Sequence, residues 1–102
     1  MTGQREDLLD EAATRERVRA LVAANAGLGS AAAGLADDQD LWEAGMDSLA
    51  SVRVMIAVEE ELDFEFPEEM LTRETFGSIA ALTAAVVAVL RGVPGAAGGD
   101  ER

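Results

Sequence analysis

The sequence has no cysteine, no histidine, no lysine and no tyrosine. Without cysteine there is no disulfide, no thiolate metal site and no thiol of the chain's own. The other three absences remove the commonest general base, the Schiff-base nucleophile and the phenolic acid, so catalysis would fall to carboxylates, hydroxyls and arginine. An enzyme is therefore not expected. No apolar run reaches the ~20 residues of a membrane helix, and the opening segment Met1 to Asp7 is too acidic and polar for a secretory signal. Cations are scarce too: eight arginines stand against twenty carboxylates, a formal net charge of −12. That field repels nucleic-acid phosphates and anionic membranes and attracts basic protein surfaces. A cytoplasmic, monomeric protein with protein partners is expected, with no nucleic acid and no membrane.

What is present reads as one all-α domain of 102 residues, with no internal repeat. Residues 1–6 carry no periodic signal and are expected to be mobile. Residues 7–91 form the domain, and 92–102, rich in Gly and Ala, form a disordered tail. Leu8, Leu9, Val18, Leu21, Val22 and Asn25 fall at helical spacing in a first helix, which starts either at an Asp7 cap or at Thr14. Gly27 and Gly29 end it. A long connection follows over 27–47, pinned by Leu28, Leu35, Leu41 and Trp42, with a short helical turn at 41–44. A second helix runs from Ser48 to Leu62. Pro67 opens a short third helix at 68–71, and Thr75 caps a fourth at 76–91, with Ile79, Leu82, Val86 and Leu90 on its buried side.

Gly45-Met46-Asp47-Ser48-Leu49 organises the rest. Asp47 and Ser48 suit the opening of a helix, and Gly45 lets the preceding chain turn sharply. Taken with Leu41-Trp42-Glu43-Ala44 before it, Val58-Glu59-Glu60-Glu61-Leu62, Phe66-Pro67 and Thr75-Phe76 after it, the motif resembles an acyl or peptidyl carrier protein of the phosphopantetheine-binding family. The resemblance implies a small four-helix bundle with a long first connection and a short third helix. It also implies 4′-phosphopantetheine, taken from coenzyme A, on Ser48, with Asp47 read by the phosphopantetheinyl transferase and Leu49 at the base of the arm. Partners implied are that transferase, an adenylating acyl or aminoacyl ligase, and an acyltransferase or synthase. The chain's start and end suit a freestanding carrier, and its motif is similar to polyketide carriers and to small discrete aminoacyl carriers. A secondary-metabolite pathway, polyketide or hybrid polyketide/nonribosomal, is expected over a fatty-acid role.

The second helix has two apolar faces. Val54, Met55, Val58 and Leu62, with Ser51, form a core stripe; Leu49, Val52 and Ile56 lie opposite, beside Arg53, Glu59 and Glu60. Either the 27–47 connection covers the second set, or it is an apolar patch rimmed by charge for transient docking. Arg53 stands where many fatty-acid carriers have an acidic residue. Glu59, Glu60, Glu68 and Glu69 would steer basic partners, whereas Glu61, Asp63 and Glu65 read as a solvated face. Val54, Val58, Phe66, Leu71, Phe76 and Ile79 are plain core before they are a cargo tunnel. Asp37, Asp38 and Asp40 suggest calcium, but the run lacks the central glycine and closing glutamate of an EF-hand loop, and no metal is expected. Two other readings stay open: an unmodified acidic interaction module and a calcium-responsive helical protein.

Overall fold

The computed structural model describes residues 10–92. The expected mobile segment 1–6, the Asp7 cap with Leu8 and Leu9, and the tail beyond Gly92 lie outside the described residues. Helix α1 spans Glu11–Asn25, because the Asp10 carboxylate accepts from the backbone N–H of Ala12 at 3.0 Å and caps the first turn. Thr14 does not start the helix; it is already inside it, buried, with its N–H on the Asp10 carbonyl. Val18 and Val22 continue that buried stripe at the four-residue spacing that puts side chains on one face.

Five elements follow, the first a 3₁₀ segment at Gly29–Gly34. The short helix α2 is Leu41–Ala44, α3 is Ser48–Leu62 and α4 is Ile79–Arg91; between the last two, Glu68–Met70 makes a single 3₁₀ turn. Helix α1 packs against both α3 and α4. Ala50, Val54, Val58 and Leu62 of α3 meet Val18 and Val22 of α1, and Ile79, Leu82 and Val86 of α4, in one core. The expected four-helix carrier bundle is thus present, with its short third helix reduced to the 3₁₀ turn.

Besides the start of α1, two further features differ from the sequence reading. Helix α4 begins at Ile79, not Phe76, and its cap is Ser78, whose hydroxyl accepts from the Ala81 N–H at 3.0 Å. Thr75 instead closes a turn, its N–H donating to the Thr72 hydroxyl. Gly77 lies in the turn before the helix: its N–H donates to the Glu74 carbonyl at 3.1 Å, and a Cβ there would lie 3.2 Å from that oxygen. The second difference is a 3₁₀ segment at Gly29–Gly34, which alanine and glycine do not signal.

The 27–47 connection is fastened at several points. Leu28, Leu35, Leu41 and Met46 are buried. The Asp37 carboxylate pairs with Arg19 and Arg15 of α1, and its carbonyl accepts from the Ala80 N–H of α4 at 2.8 Å. Asp40 caps α2 through the Trp42 and Glu43 N–H groups. Two of the three aspartates considered for calcium are thereby engaged in holding the loop, and among the described residues no acidic group forms a three-ligand cluster.

Leu41 is fully buried, so Leu41→Ala should lower stability by ~2–5 kcal/mol in urea denaturation. Thr83 is also fully buried and its hydroxyl has no hydrogen-bond partner among the described residues. Thr83→Val, which keeps the shape and removes that hydroxyl, should raise stability by ~1 kcal/mol in the same titration.

Candidate functional site

Gly45 ends α2 at φ +126°, a conformation that side-chain-bearing residues rarely adopt, and its N–H reaches the Leu41 and Trp42 carbonyls. Met46 then drops into the core. This tight return leaves Asp47 extended at the start of α3, where its carboxylate accepts from the Ala50 N–H at 2.8 Å and its carbonyl from Ser51 at 2.9 Å. Ser48 is the first residue of the helix and is exposed. Its hydroxyl has no hydrogen-bond partner among the described residues, while its carbonyl accepts from the Ser51 hydroxyl at 2.7 Å. A free hydroxyl therefore stands at the positive end of a fifteen-residue helix dipole.

Helix α3 presents three faces. The buried one is Ala50, Val54, Val58 and Leu62. The outward one carries Leu49, Val52 and Ile56, which are 61%, 45% and 45% exposed, together with exposed Arg53 and Glu60. The 27–47 connection therefore does not close over these side chains, although its Trp42 shares a groove with Val52. The third face, Ser48, Ser51, Val52 and Met55, forms one wall of an open groove of about 470 Å³. This is why Met55 and Ser51, expected in the core stripe, are only half-buried: they look into the groove.

The opposite wall is the 71–76 turn with Trp42. Leu71, expected in the interior, is 45% exposed there, whereas Val54, Val58, Phe66, Phe76 and Ile79 are buried as core. Phe66 stacks edge-on with Phe64 and Phe76, at centroid distances of 4.8 and 5.4 Å, filling the space a deep tunnel would need. Trp42 and Arg73 make the groove's end, and Arg73 was not anticipated from the sequence. Its one signal there is a lone cation between Glu68-Glu69 and Glu74.

The acidic residues divide. Glu59 is half-buried and its carboxylate accepts from the Phe66 N–H at 2.9 Å, which fixes the chain after α3. Glu61, read as a solvated charge, pairs with Arg17 at 3.3 Å. Glu60 is exposed on the outward face of α3, while Glu68 and Glu69 are exposed on the separate 3₁₀ turn. No described helix is long and apolar enough to cross a membrane.

Comparison with known proteins bears on the same region. The family described as "Phosphopantetheine attachment site" matches residues 16–86. The chain is 45% identical over 58 residues to the aminoacyl carrier protein of Agrobacterium fabrum, covering 57% of this chain and 70% of that protein. It also resembles a chain in the crystal structure of an engineered Bradyrhizobium japonicum glycine:[carrier protein] ligase complexed with carrier protein from Agrobacterium tumefaciens and ATP. There the TM-score is 0.65 at 37% identity, covering 69% of this chain and 91% of that one. The corresponding complex with AMP gives the same TM-score and identity and 93% coverage of its chain.

The cap is separable from the rest of the site. Asp47→Ala should lower the denaturation midpoint by an amount equivalent to ~1 kcal/mol, whereas Asp47→Asn, an equally good cap, should stay close to wild type. Equal losses in the two variants would show that the Ala50 contact does not hold the helix start.

Proposed function

This chain belongs to the phosphopantetheine-attachment family and is a carrier rather than a catalyst, and we propose that Ser48 bears its 4′-phosphopantetheine arm. The observation that carries the assignment is the unengaged Ser48 hydroxyl, exposed at the N-terminus of α3 beside an open groove. When bound, the group supplies the thiol that the chain lacks, on which an acyl or aminoacyl group is held as a thioester. In attachment, the Ser48 oxygen attacks the diphosphate of coenzyme A. A new phosphorus–oxygen bond forms at serine, the diphosphate bridge breaks, adenosine 3′,5′-bisphosphate leaves, and the serine proton passes to a base of the transferase. The α3 dipole favours the resulting phosphodiester. Asp47 is the residue we assign to recognition by the transferase, and Leu49 packs at the base of the arm.

The outward face of α3 is the proposed docking surface: Leu49, Val52 and Ile56 supply apolar area, and Arg53 supplies a cation at its centre. Glu60, Glu68 and Glu69 steer basic partners; Glu59 contributes less, since its carboxylate is held by Phe66. The partners we assign are the phosphopantetheinyl transferase, an adenylating ligase, and an acyltransferase or synthase downstream. A small aminoacyl cargo is supported by the Agrobacterium relative named as an aminoacyl carrier protein and by the likeness to a carrier crystallised with a glycine ligase. We assign the carrier to cytoplasmic secondary metabolism, polyketide or hybrid polyketide/nonribosomal. Arg53, exposed in the second turn of α3, supports this, because it leaves that face less acidic than in fatty-acid carriers.

Two measurements test the proposal. Incubation with coenzyme A and a broad-specificity phosphopantetheinyl transferase should add one phosphopantetheinyl group by intact mass, and Ser48→Ala should add none; a gain in the variant would reassign the site. Arg53→Glu should reduce loading by a cognate adenylating ligase by about tenfold in kcat/KM while leaving the melting temperature unchanged. Undiminished loading would remove Arg53 from partner recognition.

A further inference from the structure

Among the described residues the arginines of α1 are committed to carboxylates. Arg15 pairs with Glu11 and Asp37, Arg17 with Glu61, and Arg19 with Glu16 and Asp37. Arg73 has no such partner among the described residues. In a chain where acidic residues outnumber arginines twenty to eight, an unpaired guanidinium needs a reason. Its position supplies one. The guanidinium lies over the Trp42 ring, 4.3 Å from the centroid, and the Trp42 indole N–H donates to the Arg73 carbonyl at 3.0 Å. Ring and cation hold each other at both ends, and stacking leaves the guanidinium edge donors unspent. Arg73 lines the same groove as Ser48, whose remaining wall includes Val52, Met55 and Leu71.

We propose that Arg73 is a positioning residue for the arm: it binds the phosphodiester of the 4′-phosphopantetheine group on Ser48 and lays the arm along this groove. The inference rests on the assignment of Ser48 as the attachment residue. Charge complementarity supports it. The phosphodiester is anionic and is attached next to the Asp47 carboxylate, so a cation on the groove side offsets a repulsion built into the motif. Shape supports it as well. The arm's root is charged and its body is a thin chain with a dimethyl branch and methylenes, which matches a cationic end and an apolar wall. The groove's ~470 Å³ falls within the roughly 300–1,000 Å³ of small-molecule sites. The interior offers no competing seat, because Val54, Val58, Phe66, Phe76 and Ile79 already fill it.

Trp42 is the only tryptophan in the chain, so the contact carries its own reporter. Apo and holo forms of wild type, Arg73→Lys and Arg73→Gln are compared, with intact mass establishing the arm in each. In wild type the holo form should show a shifted Trp42 emission and less acrylamide quenching than the apo form. Nuclear Overhauser contacts should run from the arm's methyl groups to Val52, Met55 and Leu71. In Arg73→Gln the apo–holo difference and those contacts should be lost and the ³¹P resonance should move; Arg73→Lys should keep part of each. Using the difference within each variant removes the direct effect of Arg73 on the ring. If every variant gains the arm and the apo–holo differences and ³¹P shifts match wild type, Arg73 does not position the arm and the Ser48 assignment stands. If contacts with the groove survive in Arg73→Gln, the apolar wall alone seats the arm and the proposal is overturned. No mass gain at Ser48 in wild type overturns both assignments.

Discussion

Asp37 is the point on which the presentation of Ser48 depends. A connection as long as 27–47 carries a large loss of chain entropy on ordering, and its alanines and glycines offer little to offset it. Asp37 joins three elements at once, through its carboxylate to Arg15 and Arg19 of α1 and through its carbonyl to the first turn of α4. Arg19 reinforces the junction by donating to the Leu35 carbonyl at 2.7 Å, and the Leu41 N–H donates to the Gly77 carbonyl at 2.8 Å. With those ends fixed, the buried Leu41 and Met46 set where α2 stops and the angle at which α3 begins. The geometry around Ser48 is therefore inherited from contacts far from it in sequence.

Much of this was legible beforehand, for physical reasons that differ by element. Helix α3 was clear because a cap, a run of good helix formers and a four-residue apolar stripe agree with one another. The short turn at 41–44 was expected at the pinning pair Leu41 and Trp42, but its Asp40 cap was not, that aspartate having been considered only for calcium. The start of α4 was not legible either: Thr75 and Ser78 are both acceptable caps, and in the structure Thr75 is taken up in the 72–77 turn while Ser78 caps the helix. The Gly29–Gly34 segment left no pattern to read. In the candidate site, the exposure of Ser48, Leu49, Val52 and Ile56 followed from helix geometry, whereas the groove did not. It depends on how the 71–76 turn folds back toward Trp42, a tertiary relation that periodicity along α3 does not encode.

Charge is distributed with the same division. The arginines of α1 are internal fasteners that neutralise acids holding the loop and the end of α3. Arg53 and Arg73 are near the proposed attachment residue and pair with no carboxylate among the described residues. A strongly acidic protein thus keeps two cations available on the surface where the proposed chemistry takes place. Steering by the remaining acids acts over roughly a Debye length, ~10 Å at 0.1 M salt, and reports only that an anionic carrier has arrived. In the proposed docking mode, registration against a partner falls to short-range contacts, the apolar outward face and the two cations.

Helix α3 sorts its side chains so that the stripe facing the core, Ala50, Val54, Val58 and Leu62, shares no residue with the outward stripe of Leu49, Val52, Arg53 and Ile56. If the outward stripe is the docking face proposed above, selection on folding and selection on partner choice fall on different codons of the same fifteen-residue segment. Substitutions on the outward side can accumulate without passing through unstable intermediates. A duplicated copy of such a gene can be retargeted to a new enzyme while its scaffold is inherited unchanged.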